Sequence, residues 1–256
     1  MVTYNFDLMK DHHFDLTGVY SMTEYQNEFM RGDGAGLSYN SLWYALQNGA
    51  KTNKTQSKYT KTSLMSYLAR LNYNYKGKYY VTASMRYDGS SKLAEGHKWG
   101  GFFAGALAWR ITEEEFMKDI PWIYNLKLRA SWGQLGNERI DLFRYVDLMN
   151  LKVIKNDGSI TDYNYPLNGA MQSGAAITAY NDPNITWETT TMTNVGIDAS
   201  LLNGNLDFSF EFFDKRTSDI LRKVTLPDQV GGLDGPIRNI GEVSNKGFEL
   251  NMGYRN

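Results

Sequence analysis

The chain has 256 residues, with 27 basic against 28 acidic side chains and a formal net charge of -1. That balance, with no basic run, excludes phosphate-backbone recognition, which needs a concentrated cationic surface. The absence of cysteine removes disulfide frameworks, thiolate metal sites and cysteine nucleophiles.

Many amphipathic rings, 18 Tyr, 12 Phe and 6 Trp, accompany a mean hydropathy of -0.49. No stretch approaches the roughly 20 apolar residues of a membrane helix. Residues 1–7 lack the basic and apolar regions of a signal peptide. A membrane helix is excluded, whereas a membrane barrel is not.

Period-two alternation recurs in segments near the about 9 to 11 residues that a tilted membrane strand requires. Residues 4–8 and 14–20 are the first two predicted strands, joined by a short turn at 10–13. His12 and His13 lie there; neighbours in extended chain point to opposite faces, so they read as a polar turn rather than a metal site. The stretch 27–59 is a long connection. Its Gly32-Asp33-Gly34-Ala35-Gly36 lacks the lysine and the strand-to-helix setting of a phosphate loop. Tyr39, Trp43 and Tyr44 are candidate ligand or partner contacts, because flat rings stack on sugars at small entropic cost.

In the third strand Tyr67, Ala69, Leu71 and Tyr73 alternate with Ser66, Arg70, Asn72 and Asn74. After a tight turn at 76–78, the fourth sets Val81, Ala83, Met85 and Tyr87 against Thr82, Ser84, Arg86 and Asp88. A moderate loop at 88–98 leads to the fifth, 99–109, where Trp99, Phe103, Leu107 and Trp109 stand opposite Gly100, Ala104, Ala106 and Ala108. Residues 111–122 form an intermediate connection in which Glu113, Glu114 and Glu115 read as a solvated run, not as paired catalytic carboxylates.

The sixth strand sets Leu126, Leu128, Ala130 and Trp132 against Lys127, Arg129, Ser131 and Gly133. The longest connection, 136–187, carries three further candidate contacts, Tyr163, Tyr165 and Tyr180. Strands at 195–201 and 206–212 flank a turn at 202–205, read as a type I′ hairpin from Asn203-Gly204. A long connection, 217–243, precedes the last strand, 248–254.

About nine strands result, joined by connections that alternate short and long, the inside-outside parity of an outer-membrane barrel. The predicted fold is all-β: a segment of an antiparallel up-and-down transmembrane β-barrel. Tyr73, Tyr75, Tyr79 and Tyr80 cluster at strand ends, where rings with polar tips suit the headgroup boundary. Arg70, Arg86, Arg110 and Arg129 fall on the polar face as candidate lumen residues, able to pair across strands with Asp198, Asp207 and Glu249. A soluble secreted glycan-binding β-sheet would alternate too, with Phe208, Phe210 and Phe212 packed on a second sheet. No nucleophile, base and orienter share a recognisable spacing, so neither an enzyme nor a cofactor is expected.

Ordered blocks carry a family resemblance. Leu68-Ala69-Arg70-Leu71-Asn72-Tyr73 is followed by Tyr79-Tyr80-Val81-Thr82-Ala83-Ser84-Met85-Arg86-Tyr87-Asp88-Gly89-Ser90, then Trp99-Gly100 and Leu107-Ala108-Trp109-Arg110-Ile111-Thr112. Leu126 to Asn137, Ile185-Thr186-Trp187-Glu188, Phe213-Asp214-Lys215-Arg216-Thr217-Ser218-Asp219-Ile220-Leu221 and Asn239-Ile240-Gly241-Glu242 complete the series. Together they resemble the SusC/RagA family of TonB-linked outer-membrane transporters.

The resemblance implies part of a barrel of about 22 strands, the size associated with plugged transporters. It implies import of oligosaccharides or peptides across a Gram-negative, Bacteroidota-like outer membrane, energised by the TonB-ExbB-ExbD complex, with a SusD-like lipoprotein as partner. Residues 1–256 are then expected to be a partial barrel domain, with plug, TonB box and remaining strands absent from it. In the intact protein, plug carboxylates are a second set of partners for the four arginines. A siderophore or cobalamin receptor of the wider TonB-dependent group is the alternative cargo class.

Overall fold

The computed structural model describes residues 1–36, 55–147, 149–150, 152–154, 160–177, 179–227, 229 and 234–255. Six long strands come first: β1 (Val2–Leu8), β2 (His12–Gly32), β3 (Thr55–Tyr75), β4 (Tyr79–Ser90), β5 (Trp99–Arg110) and β6 (Ile123–Asn137). Six short strands follow: β7 (Met149–Asn150), β8 (Lys152–Ile154), β9 (Ile160–Asp162), β10 (Asn164–Leu167), β11 (Ala170–Ser173) and β12 (Ala176–Ile177). The chain ends with β13 (Glu188–Leu201), β14 (Leu206–Lys223) and β15 (Ile237–Tyr254).

The long strands form one antiparallel sheet in the order β1-β2-β3-β4-β5-β6-β13-β14-β15, while the short ones pair as β7 with β12, β8 with β9 and β10 with β11. The sheet is not closed among the described strands; β1 and β15 are its edges. All nine predicted strands are present.

Most strands are longer than their alternation marks. β2 and β3 have 21 residues each, about twice a membrane-crossing length. Residues 27–32 and 55–59, expected as loop, are strand, and β14 and β15 take in 217–223 and 237–243. The reason is physical: alternation is imposed only where one face meets an apolar medium, whereas a neighbouring strand satisfies backbone N–H and C=O groups whatever the side chains are.

The chain divides into two compact units, Met1–Ser21 with Met65–Asn256, and Met22–Leu64. Within the second, Lys61 meets Glu24 at 3.0 Å.

The short connections are tight turns at one end of the sheet. At the β3–β4 turn, Lys76 and Gly77 are left-handed (φ 52° and 67°) and the Lys78 N–H donates to the Tyr75 carbonyl at 2.9 Å, the backbone of a primed hairpin turn. At β13–β14 the sequence expectation is off by one residue. Leu202 and Asn203 are the left-handed central pair (φ 54° and 59°), closed by the Gly204 N–H on the Leu201 carbonyl at 3.1 Å. Gly204 follows the central pair instead of belonging to it.

Register sorts the side chains into two faces. Val81, Ala83 and Met85 of β4 oppose Leu107, Gly105 and Phe103 of β5. Leu107 and Trp109 oppose Ala130 and Leu128 of β6. Val195 and Ile197 of β13 lie between Ala130 and Leu128 on one side and Phe212 and Phe210 on the other, and the row ends on Phe248 and Leu250 of β15. No second sheet packs on this face among the described residues: Leu107 is 59% exposed and Phe212 48%. The expectation of the soluble alternative, that the phenylalanines of β14 are covered, is not met.

Two belts of rings bound the apolar face. At the short-turn end, His12, Tyr75, Tyr79 and Trp109 run across four strands, with successive ring centroids 4.7, 6.2 and 6.3 Å apart. At the other end, Tyr20, Tyr67, Trp99 and Tyr87 do the same at 5.3, 6.2 and 4.9 Å. Trp99 reaches Tyr67 by lying over Gly89, where an added Cβ would stand 2.7 Å from the indole. Tyr79 and Tyr87 are eight positions apart on β4, about 27 Å along the strand. At a tilt of about 40° that is roughly 21 Å of membrane normal, close to the roughly 25 Å apolar band of an outer-membrane barrel.

Tyr80 does not belong to the belt. It points to the opposite face from Tyr79, and its hydroxyl donates to the Gly77 carbonyl at 2.9 Å, closing the turn.

Candidate functional site

The polar face carries the candidate arginines. Arg129 of β6 donates from Nε to Asp198 of β13 at 3.1 Å and from Nη1 to Glu211 of β14. Ser209 adds a hydroxyl to Asp198 at 2.9 Å. One guanidinium thus spans three strands, which is possible because Gly196 lies between Arg129 and Glu211 in the register.

Arg86 forks onto Asp88, two positions along β4, at 2.8 and 2.7 Å, and reaches the Ser66 hydroxyl on β3 at 3.2 Å. Arg110 meets Asn125 at 3.3 Å and Glu113 at 3.4 Å. Arg70 is exposed, and among the described residues it has no ion pair. The four are therefore spread over β3 to β6 and are not gathered into one cluster. Between them, Tyr80, Thr82, Ala106, Lys127, Ser131 and Asn194 line a recess of about 310 Å³ floored by small side chains.

At the long-loop end two of the few buried residues, Phe102 and Trp187, meet. Trp187, 8% exposed, packs edge-on against Phe102 with ring centroids 5.6 Å apart and donates its indole N–H to the Lys98 carbonyl at 3.1 Å. Gly100 and Gly136 leave room for these rings.

The chain on either side of Trp187 is tied as tightly. The Asn239 side chain accepts from the Thr186 N–H at 2.9 Å and donates to the Thr186 carbonyl at 3.0 Å, imitating a strand partner. Glu188 accepts from the Asn137 side chain at 2.6 Å and from the Leu221 N–H at 2.8 Å. The knot fixes the end of the longest connection onto β5, β6, β14 and β15. Phe102, Gly136 and Asn239 were not singled out by sequence reasoning; their signal lay in the motif blocks Trp99-Gly100, Gly136-Asn137 and Asn239-Ile240-Gly241.

The outer-loop aromatics are separated. Tyr165 is exposed on the β10–β11 hairpin, whose turn is Asn168-Gly169 (φ 52° and 77°). The Tyr163 carbonyl accepts from Gly174 at 2.5 Å, and the Tyr180 N–H donates to the Asp234 carbonyl at 3.0 Å, joining two long loops. Lys223 beside Asp234 holds that carboxyl below its ordinary value. No ring contact joins Tyr163, Tyr165 and Tyr180 among the described residues. Tyr39, Trp43 and Tyr44 lie outside the described residues. Among the described residues no group of acids and histidines could hold a metal ion. The arrangement is a sheet with one apolar face bounded by rings, one polar face carrying paired charges and a braced rim at the long-loop end.

Residues 2–255 match the family model described as TonB dependent receptor-like, beta-barrel. A TonB-dependent receptor of Formosa agariphila is 32% identical over 257 residues, covering 100% of this chain and 25% of the relative. The TonB-dependent receptor SusC of Bacteroides thetaiotaomicron is 35% identical over 204 residues, 79% of this chain and 20% of the relative. The chain thus spans about a quarter or less of the length of the curated relatives it matches.

Among solved structures, the RagAB peptide transporter superposes with a TM-score of 0.83 at 22% identity, over 98% of this chain and 26% of that one. The siderophore receptor PirA from Acinetobacter baumannii gives 0.53 at 11% identity, over 98% and 33%. At these identities the likeness is one of fold.

Proposed function

Because this chain belongs to the TonB-dependent receptor-like β-barrel family, a receptor family and not an enzyme family, we propose that it is the wall of an outer-membrane importer of SusC type. The observation that carries the reading is the uncharged face of β2 to β5, bounded by aromatic belts at both ends. Such a surface is stable against lipid and costly against water. On this reading the intact protein imports oligosaccharides or peptides, draws its energy from the TonB-ExbB-ExbD complex and works with a SusD-like surface lipoprotein.

The outer-loop rings Tyr39, Trp43, Tyr44, Tyr163, Tyr165 and Tyr180 are the proposed ligand or partner contacts, and Arg70, Arg86, Arg110 and Arg129 the proposed lumen face. Support for the SusC-type reading comes from the 35% identity to the TonB-dependent receptor SusC and from the fold likeness to the RagAB peptide transporter. Deleting the full-length gene should abolish growth on one oligosaccharide or peptide source, restored by the gene in trans. Loss of growth confined to iron-chelate medium would overturn the cargo class.

A further inference from the structure

The connection between β5 and β6 is more than a turn. Its two 3-10 segments, Ile111–Glu113 and Glu115–Met117, bracket Glu114. The Glu114 carboxylate accepts from the Tyr79 hydroxyl at 2.6 Å, the Lys78 ammonium at 3.1 Å and the Trp109 indole N–H at 3.2 Å. Tyr79 and Trp109 are belt residues on the apolar face, so these bonds tie Glu114 to the lipid side of the sheet, while Arg110 on the polar face holds Glu113 at 3.4 Å. Met117 is buried by this fold, while Phe116 is 62% exposed, Trp122 57% and Tyr124 69%. Tyr124 is the residue left unpaired where the register of β6 against β13 shifts, and the Trp122 carbonyl accepts from the Leu202 N–H of the next turn at 2.9 Å, bringing Leu202, also exposed, beside it.

From this we infer that residues 111–124 form an interfacial foot that seats Phe116, Trp122 and Tyr124 in the phospholipid headgroup layer, with Glu114 as its anchor to the belt. Continuity with the apolar face identifies the occupant as lipid. Large rings with a polar tip gain most where one end is wet and the other dry, and a carboxylate at that depth is sustainable because three donors already satisfy it.

Charge narrows the lipid class. Residues 111–122 carry four acids, Glu113, Glu114, Glu115 and Asp119, against Lys118 alone. Arg110 and Lys78 pair with the first two, while Glu115 and Asp119 have no ion pair among the described residues. With Lys118 also outside any ion pair among the described residues, the segment keeps a net negative charge, which repels anionic headgroups and suits a zwitterionic layer bearing amines. The inference rests on the barrel reading, and its test separates the two.

The chain has no cysteine, so single nitroxide labels can be placed in the full-length receptor, any cysteine elsewhere in it being replaced, in zwitterionic liposomes. Labels at Leu107→Cys and Glu95→Cys supply the lipid and water references. A label at Phe116→Cys should give a collision ratio of oxygen to water-soluble nickel chelate between the two, several-fold above Glu95→Cys. Glu114→Gln should lower it towards the water value, and replacing half of the lipid by phosphatidylglycerol should lower it as well. A ratio equal to that of Glu95→Cys, suppressed collision with both reagents, which means cover by protein, or indifference to phosphatidylglycerol would each overturn the inference. Should Leu107→Cys itself behave as water-exposed, it is the barrel reading that fails.

Discussion

Arg129 lies across the α-carbon of Gly196: a methyl group added there would stand 2.9 Å from the guanidinium carbon and 3.0 Å from a terminal nitrogen. The missing side chain on β13 is what lets one arginine hold carboxylates on β13 and β14 together. Gly196→Ala is predicted to dislodge Arg129 from Glu211 and to cost about 1–3 kcal/mol, the usual range for crowding a well-packed site. Thermal unfolding of the full-length receptor in detergent, read by loss of heat-modifiable mobility, measures it. Glu211→Gln in the Gly196→Ala background should then cost less than Glu211→Gln alone, since the contact is already broken.

The Trp187 knot predicts a graded series. Trp187→Ala should cost about 3–5 kcal/mol as an aromatic truncation in a buried setting. Trp187→Phe keeps a ring against Phe102 but leaves the Lys98 carbonyl with the Ser90 N–H alone, a loss of about 1 kcal/mol. Asn239→Asp removes the donor to the Thr186 and Asp219 carbonyls and is expected to fall between them. Limited proteolysis within residues 138–184 should accelerate in the same order, because the knot closes that connection.

Glu114 predicts a dependence on pH. Its donors, Tyr79 first and then Lys78 and Trp109, hold the carboxyl below its ordinary value of 4.5. A depressed folded value means that the tie stabilises fully above the ordinary value and is lost as pH falls through the depressed one. Mobility of a label at Phe116→Cys should be constant from neutrality to about pH 5 and rise below 4.5. Glu114→Gln should be mobile throughout, with no step.

The two faces predict opposite tolerance at adjacent positions. Leu107→Arg, in the middle of the uncharged band, should cost about 2–4 kcal/mol and reduce the folded fraction recovered from outer membranes. Ala106→Ser, its neighbour on the polar face, should leave that fraction unchanged.

The strands at 67–73, 81–87, 99–109 and 206–212 were legible because an apolar medium on one side and a wet interior on the other write alternation into the residues. Where that medium ends the writing stops, although pairing does not: residues 27–32 and 217–223 continue as strand with no pattern to announce it. Tyr80 clusters with the belt rings in sequence, but its adjacency to Tyr79 requires opposite faces.

The pairing of Arg129 with Asp198 could be read from opposite charges on one face. Its reach to Glu211 could not, since it depends on an absence at Gly196. Glu114 read as part of a solvated run because its donors, Lys78 and Tyr79, are 36 and 35 positions away and meet it only when the β4–β5 hairpin closes.

The claim on which the rest depends is that the face carrying Phe103, Leu107 and Trp109 meets lipid. It is tested most directly by single cysteines at positions 101 to 109 of β5 in the full-length receptor in its membrane, each probed with a membrane-impermeant thiol reagent and with a quencher confined to acyl chains. Strict alternation is expected: positions 101, 103, 105, 107 and 109 quenched from lipid and unreactive from water, and positions 102, 104, 106 and 108 not quenched. Quenching with no period of two, or reaction with the aqueous reagent at 103, 105 and 107, would contradict it.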